Sequence, residues 1–212
     1  MRKLLTILVM LGVAACPGFA DVITDLGLFN TGASSSWLLS GSPAPTATTI
    51  DGNWAANNTT SSWISTQANS AGITDGASQA SPYNYTFQFT VPTTYVLSSI
   101  VINGRWALDD YGTASVGSTV FSTMADGGSH YTSTAFASQT FTISGLTSAT
   151  NTLTFAVTNK WLGSGRINPT GVRVEFTSGT GTLAPVEGIP EPGTLAMLGG
   201  GLLALGFFRR RR

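Results

Sequence analysis

The sequence is poor in the side chains that most enzymes use. It contains one cysteine, Cys16, and one histidine, His130, and only 9% of its 212 residues are charged. The histidine lies in a Gly-Gly-Ser-His-Tyr segment, and no Gly-x-Ser-x-Gly sequence is present, so a serine-hydrolase triad is not indicated. A chain with one cysteine has no intramolecular disulfide to rely on. We expect its stability to come from a packed core.

Positive charge is also scarce outside the two ends of the chain. Between residues 21 and 188 there are four basic and nine acidic residues, which gives this part a formal charge of −5. Nucleic-acid binding needs clustered Lys and Arg, and anionic lipid attracts the same residues. The sequence therefore predicts no nucleic-acid partner, and no binding of anionic lipid by this part of the chain.

The first 20 residues have the pattern of a secretory signal peptide. Arg2 and Lys3 precede an apolar run over residues 4–15, and small residues stand at the positions that signal peptidase reads before Ala20. We predict that residues 1–20 are removed and that the protein is exported. In an alternative interpretation, the segment ending at Cys16 is a lipobox and this cysteine is lipidated.

The C-terminal end has three parts: a Pro-Glu-Pro triplet, an uncharged Gly-containing run over residues 194–208, and four arginines. As a helix the run would be about 22 Å long, against about 30 Å of hydrocarbon. The arginines stay on the cytoplasmic side, and the prolines favour an extended, accessible triplet. We predict a short transmembrane helix that holds the exported chain transiently in the inner membrane, facing the periplasm.

Residues 190–212 resemble the PEP-CTERM sorting signal. In that family an exosortase handles the tail in Gram-negative bacteria that make extracellular polysaccharide. The resemblance implies an exosortase-like processing enzyme as a partner and a cell-surface or extracellular destination, and it concerns routing alone. The residues to which it assigns sorting and processing are Pro190, Glu191, Pro192, Arg209, Arg210, Arg211 and Arg212.

Between the two ends, the sequence predicts β-structure. Apolar and polar residues alternate in YNYTFQFTV (83–91), TLTFAVT (152–158) and GVRVEFT (171–177), which is typical of strands with one buried and one solvated face. The third segment places Arg173 and Glu175 on the solvated face. LSSIVINGRW (97–106) is apolar on both faces, as an interior strand would be, and residues 116–121 and 141–143 are predicted to supply two more strands.

Six or more short strands separated by turn signals predict an all-β fold, a β-sandwich or jelly roll, over residues 21–178. The Gly/Pro/Thr-containing residues 179–189 are predicted to form a linker. The order of segments over residues 51–176 resembles a galactose-binding-like jelly-roll domain. The strongest parts of this resemblance are GRWALDD (104–110) and NTLTFAVTN (151–159).

Tryptophans with polar neighbours are candidates for stacking on sugar rings, although each is also a candidate core residue. The residues predicted to bind carbohydrate are Trp54, Arg105, Trp106, Asp109, Asp110 and Trp161. Asp109 and Asp110 also offer hard oxygen ligands for a structural calcium ion. A turn is the alternative role for this pair. As neighbours in an extended chain, they are expected to point to opposite faces.

These observations lead to three hypotheses on function. The favoured one is an exported, non-enzymatic cell-surface or matrix protein that associates with extracellular polysaccharide through its β-sandwich. The alternative is a purely structural, self-associating matrix protein. A polysaccharide hydrolase is less favoured, because a glycosidase needs two carboxylates on either side of the scissile bond. No cofactor is predicted apart from the calcium ion.

Overall fold

The computed structural model describes residues 20–22, 29–32, 36–75, 82–184 and 192–209. One compact unit spans residues 19–184, and the C-terminal helix belongs to a second unit. The strands are β1 (Ala20–Val22), β2 (Leu38–Leu39), β3 (Ser42–Pro43), β4 (Ile64–Ser65), β5 (Tyr83–Thr90), β6 (Val101–Asp109), β7 (Tyr111–Val116), β8 (Thr119–Met124), β9 (Thr140–Ser144), β10 (Thr150–Thr158) and β11 (Gly171–Thr182). The α-helices are α1 (Ser133–Ser138) and α2 (Pro192–Arg209), and two short 3-10 helices cover Ser70–Gly72 and Leu97–Ser99.

The described strands form two antiparallel sheets. The first sheet has the order β1-β11-β6-β9, with β4 also paired to β11, and the second has the order β3-β2-β5-β10-β7-β8. The long pairing of β6 with β11 extends from Val101 opposite Thr180 to Asp109 opposite Gly171. The prediction of an all-β sandwich is therefore confirmed.

The core between the sheets follows the predicted alternation. On β5 and β10 the odd-numbered side chains are buried, apart from the half-buried Tyr83. The apolar ones share one core cluster with Trp106, Leu108, Val172, Val174 and Phe176 of the first sheet. The ring of Phe155 lies 5.2 Å from that of Trp106 and 5.6 Å from that of Trp37, measured between centroids. Such ring pairs add about 0.5–1.5 kcal/mol each beyond the burial of their area.

Part of the opposite face of the first sheet is buried as well, around Arg173 and Glu175, which corrects the prediction that these two residues are solvated. Arg173 is 2% exposed and Glu175 is 7% exposed. A second apolar cluster covers them. It is formed by residues 47–63, by helix α1 and by Ala107 of β6. Its buried members are Ala47, Trp54, Ala55, Trp63, Ala107 and Phe136. The predicted alternation of β11 is present, but its polar residues Arg173 and Glu175 face this outer layer and not solvent.

Both buried charges have partners. The Arg173 Nε donates a hydrogen bond to the Ser61 hydroxyl at 2.9 Å, and the Ser61 hydroxyl donates to Glu175 at 3.0 Å. Glu175 also accepts from Arg105 at 2.6 Å. The guanidinium carbons of Arg173 and Arg105 lie 4.2 and 4.7 Å from the centre of the Phe136 ring. These contacts compensate for the desolvation that would otherwise make the burial costly.

Two predicted boundaries differ from the structure. Strand β11 continues to Thr182, so residues 179–182 belong to the sheet and not to the linker. Residues 116–121 are not one strand, because Gly117 and Ser118 form the turn between β7 and β8. Gly117 has a positive φ of 55°, which interrupts a strand and suits a tight turn.

The C-terminal helix α2 covers Pro192–Arg209 and includes the run predicted to be helical. Pro192, predicted to be extended, is its first residue, a position where proline's missing N–H costs nothing. None of the helices in the described part of the chain is long and apolar enough to cross a membrane. Residues 1–19 of the predicted signal peptide, Pro190, Glu191 and Arg210 to Arg212 lie outside the described residues.

We predict that Phe136→Ala lowers the free energy of unfolding by about 3–5 kcal/mol, because it opens a cavity beneath two guanidinium groups. Urea denaturation of the purified protein measures this loss. The matched control is Val120→Ala on the exposed edge strand β8, which should stay within about 0.5 kcal/mol of the parent. Equal effects of the two substitutions would contradict the outer apolar layer.

Candidate functional site

Three of the residues predicted to bind sugar lie in packed surroundings. Trp106 is fully buried between the sheets, and its indole N–H donates to the Ser122 hydroxyl at 3.1 Å. Trp54 is buried in the outer layer, with its ring 4.2 Å from that of Trp63. Arg105 forms the ion pair with Glu175 described above. The two tryptophans therefore present no ring face to a sugar, which corrects the prediction for them.

Asp109 and Asp110 lie where β6 turns into β7. The Trp54 indole N–H donates to the Asp109 carboxyl at 2.9 Å, and the Thr170 hydroxyl donates to the Asp109 backbone carbonyl at 3.1 Å. The Asp110 carboxyl accepts from the backbone N–H of Lys160 at 2.6 Å. The two carboxyl groups thus bond to different parts of the chain, and the prediction that they point to opposite faces stays a prediction.

The pKa of Asp109 is raised from 3.8 to about 8, chiefly by burial and further by the neighbouring Asp110. The indole N–H of Trp54 lowers this pKa but is outweighed. At neutral pH the Asp109 carboxyl is therefore mainly protonated, and it accepts the hydrogen bond from Trp54. A protonated carboxyl ties the β6–β7 corner to the outer apolar layer.

The loop between β10 and β11 is held by a carboxylate from a distant part of the chain. Asp75 accepts hydrogen bonds from the backbone N–H groups of Leu162 and Gly163 at 2.6 and 3.2 Å, and from the Asn168 amide at 2.7 Å. Its own backbone N–H donates to the Arg166 carbonyl at 2.8 Å. The Asn168 amide also donates to the Lys160 carbonyl at 2.7 Å. These bonds fix the loop at both its base and its tip.

This fixed loop displays apolar side chains to solvent. Trp161 is 45% exposed, Leu162 is 55% exposed and Ile167 is 64% exposed. Beside them, Lys160 forms an ion pair with Asp126 at 3.0 Å. We call the surface formed by Asp110, Asp126 and residues 160–167 the Trp161 end of the sandwich. It combines an accessible indole with charged side chains, which suits binding of a sugar.

The Trp161 end contains two predicted residues, Trp161 and Asp110, and several that the sequence analysis missed. Asp75 was missed because nothing local shows that its carboxylate reaches a loop almost ninety residues further on. A signal for the loop was present in KWLGSGRIN (160–168), where two glycines follow a Trp-Leu pair in an otherwise polar segment. Gly163 and Gly165 both have positive φ, at 127° and 75°.

Calcium binding at Asp109 and Asp110 stays a prediction. Among the residues that the structure describes, no group of three or more His, Cys, Asp or Glu side chains could hold a metal ion. Calcium prefers six to eight oxygen ligands. Backbone carbonyls would have to supply most of them.

Comparison with known families identifies a known motif at the C-terminal end of the chain. The model of the PEP-CTERM protein-sorting motif matches residues 188–212, a range that includes every residue predicted for sorting and processing. The chain thus carries a sorting signal that implies export, transient membrane anchoring and processing by an exosortase. No curated protein and no solved structure matches the chain. The galactose-binding-like resemblance stays a prediction.

We predict that Asp109→Asn flattens the dependence of stability on pH. Because the pKa of Asp109 is raised on folding, its contribution to stability is complete below about pH 4 and is lost as the pH rises to about 8, by at most about 1.4 kcal/mol per pH unit. Asparagine mimics the protonated acid, since its amide oxygen can accept from Trp54 and the amide does not titrate. The variant should therefore exceed the parent in stability at pH 7.

Urea titrations between pH 4 and pH 8 measure this difference, and Asp126→Asn is the control. Asp126 is an exposed acid paired with Lys160, so its replacement should leave the pH slope in place. The same slope in the parent and in Asp109→Asn would show that Asp109 is ionised when folded.

Proposed function

We propose that this is an exported, exosortase-sorted surface or matrix protein that binds extracellular polysaccharide through the Trp161 end of its β-sandwich. The sorting part rests on the PEP-CTERM motif at residues 188–212. The binding part rests chiefly on one observation: an exposed indole stands on a loop whose conformation is fixed in advance by Asp75. Pre-organisation lowers the entropy that binding would otherwise cost.

The chemistry of the Trp161 end suits a sugar polymer. The indole face supplies an apolar surface for the C–H face of a sugar ring. Around it, Asp110, Asp126 and Lys160 offer acceptors and donors for hydroxyl groups. Arg166 adds an exposed positive charge in the same loop, which suits the carboxylates of acidic sugars.

We propose binding without catalysis. The His130 ring nitrogen is within hydrogen-bonding distance of the Ala125 carbonyl at 2.8 Å, which suits a structural role in its loop. Glu175 is buried in its ion pair with Arg105, and Asp109 is buried against Trp54. The Asp110 carboxyl accepts from the Lys160 backbone N–H, so this acid also has a structural partner.

A self-associating matrix protein is the second candidate, and one observation favours it. Leu162 and Ile167 expose apolar area next to Trp161, which could pack against a second copy of the same loop. The two candidates differ in the partner that covers the loop, and binding experiments separate them.

We expect Trp161→Ala to weaken binding of extracellular polysaccharide about tenfold, which corresponds to about 1.4 kcal/mol. Trp161→Phe should retain part of the affinity, because it keeps an aromatic face. Leu162→Ala is the matched control, since it removes a neighbouring apolar side chain of similar exposure. Titration calorimetry against neutral and acidic polysaccharides measures the affinities. A parent protein that binds none of them, and whose concentration-dependent association is lost in Leu162→Ala, would establish the second candidate instead.

We also expect the released protein to lack the residues that follow the Pro-Glu-Pro region, as intact-mass analysis of envelope and medium fractions would show. Replacing the four terminal arginines with Ser should remove the stop to translocation and release uncut chain. Replacing them with Lys is the control, because lysine keeps the positive charge and should preserve processing. A complete tail on all released protein would contradict the processing step.

A further inference from the structure

A second concave site lies at the other end of the sandwich from the Trp161 end. A cleft of about 510 Å³ opens beside the turn between β7 and β8 and the loop between β9 and β10. The nine residues of β10, which lead from this cleft to the Trp161 loop, span about 26 Å at about 3.3 Å per residue. The volume falls within the range of about 300–1,000 Å³ that is usual for ligand sites.

The lining of the cleft is uncharged and rich in hydroxyl groups. None of the lining residues is Asp, Glu, Lys, Arg or His, and eight carry a hydroxyl: Ser118, Thr119, Thr142, Ser144, Thr147, Ser148, Thr150 and Thr152. Two of these hydroxyls are engaged in side-chain contacts, Thr142 with Asn103 and Thr150 with Thr90. The others can exchange bonds to water for bonds to a ligand.

The floor of the cleft is apolar and its walls are preformed. Phe121, Ile143 and Leu146 lie among the lining residues, and the Phe121 ring packs 5.2 Å from that of Phe141. The buried Asn151 amide donates to the carbonyls of Ser148 and Ala149 at 2.8 and 3.3 Å, which fixes the loop that forms one wall. An apolar floor with a hydroxyl rim therefore exists before any ligand arrives.

We propose that this cleft binds an uncharged segment of a sugar polymer. An ionic ligand would lose hydration here without meeting a charged partner among the lining residues, which disfavours it. A neutral sugar offers a C–H face for the floor and hydroxyls for the rim. The inference deepens the proposed function, because two sites at opposite ends let one domain join two polymer segments.

The test separates the two sites in a Trp161→Ala background, which removes the stacking face of the other end. Neutral hexasaccharides of gluco, galacto and manno configuration are titrated calorimetrically at about 0.05 and about 0.5 M salt. We expect at least one to bind with an affinity that salt does not change. Adding Thr119→Val and Ser144→Ala should then reduce this affinity about tenfold, since both substitutions remove rim hydroxyls at exposed positions.

Thr140→Val is the matched control, because Thr140 is an exposed threonine on β9 outside the cleft. Its affinity for the hexasaccharide should equal that of the background, and thermal melting verifies that all variants fold. Failure of every hexasaccharide to bind, or an equal loss in Thr140→Val, overturns the cleft proposal. If the single variant Trp161→Ala binds an acidic polyuronate as tightly as the parent protein does, the proposed role of the Trp161 end is overturned instead.

Discussion

The structure depends on the burial of strand β11 on both faces. Its inner face carries Val172, Val174 and Phe176, and its outer face carries Arg173 and Glu175, so two charges must be desolvated at the centre of the first sheet. The outer layer meets this requirement with Ser61, the carbonyls of Ala55 and Ala56, and the Phe136 ring. The single cysteine allows no disulfide within the chain. The chain is stabilised instead by apolar area that is buried on both sides of one sheet.

Most of the sandwich could be predicted, because period-two alternation is a local property of the sequence. On β5 and β10 every second residue is buried, as the pattern indicated. The outer layer could not be predicted in the same way, because Arg173 and Glu175 are what a solvated strand face would also carry. The distinguishing information was non-local: Arg105 and Ser61, which satisfy Glu175, lie about 70 and 114 positions earlier.

The candidate site shows the same limit. Aromatic residues near polar ones were found from the sequence, but exposure depends on which segments fold over them. Trp54 and Trp161 have similar surroundings in sequence, yet the first stacks on Trp63 inside the outer layer and the second stands on the Asp75-bound loop. Likewise, the raised pKa of Asp109 results chiefly from its burial, which adjacency to Asp110 alone does not indicate.

Strand β11 connects the Trp161 loop with the C-terminal end of the sandwich. It runs from Gly171 to Thr182, and its twelve residues span about 36 Å at about 3.3 Å per residue. The bonds that fix the loop come from Asp75 and Asp110, both within the sandwich. Removing residues beyond the Pro-Glu-Pro region breaks none of these bonds, because both carboxylates and all their partners lie before residue 184. The conformation of the loop is therefore a property of the sandwich sequence itself.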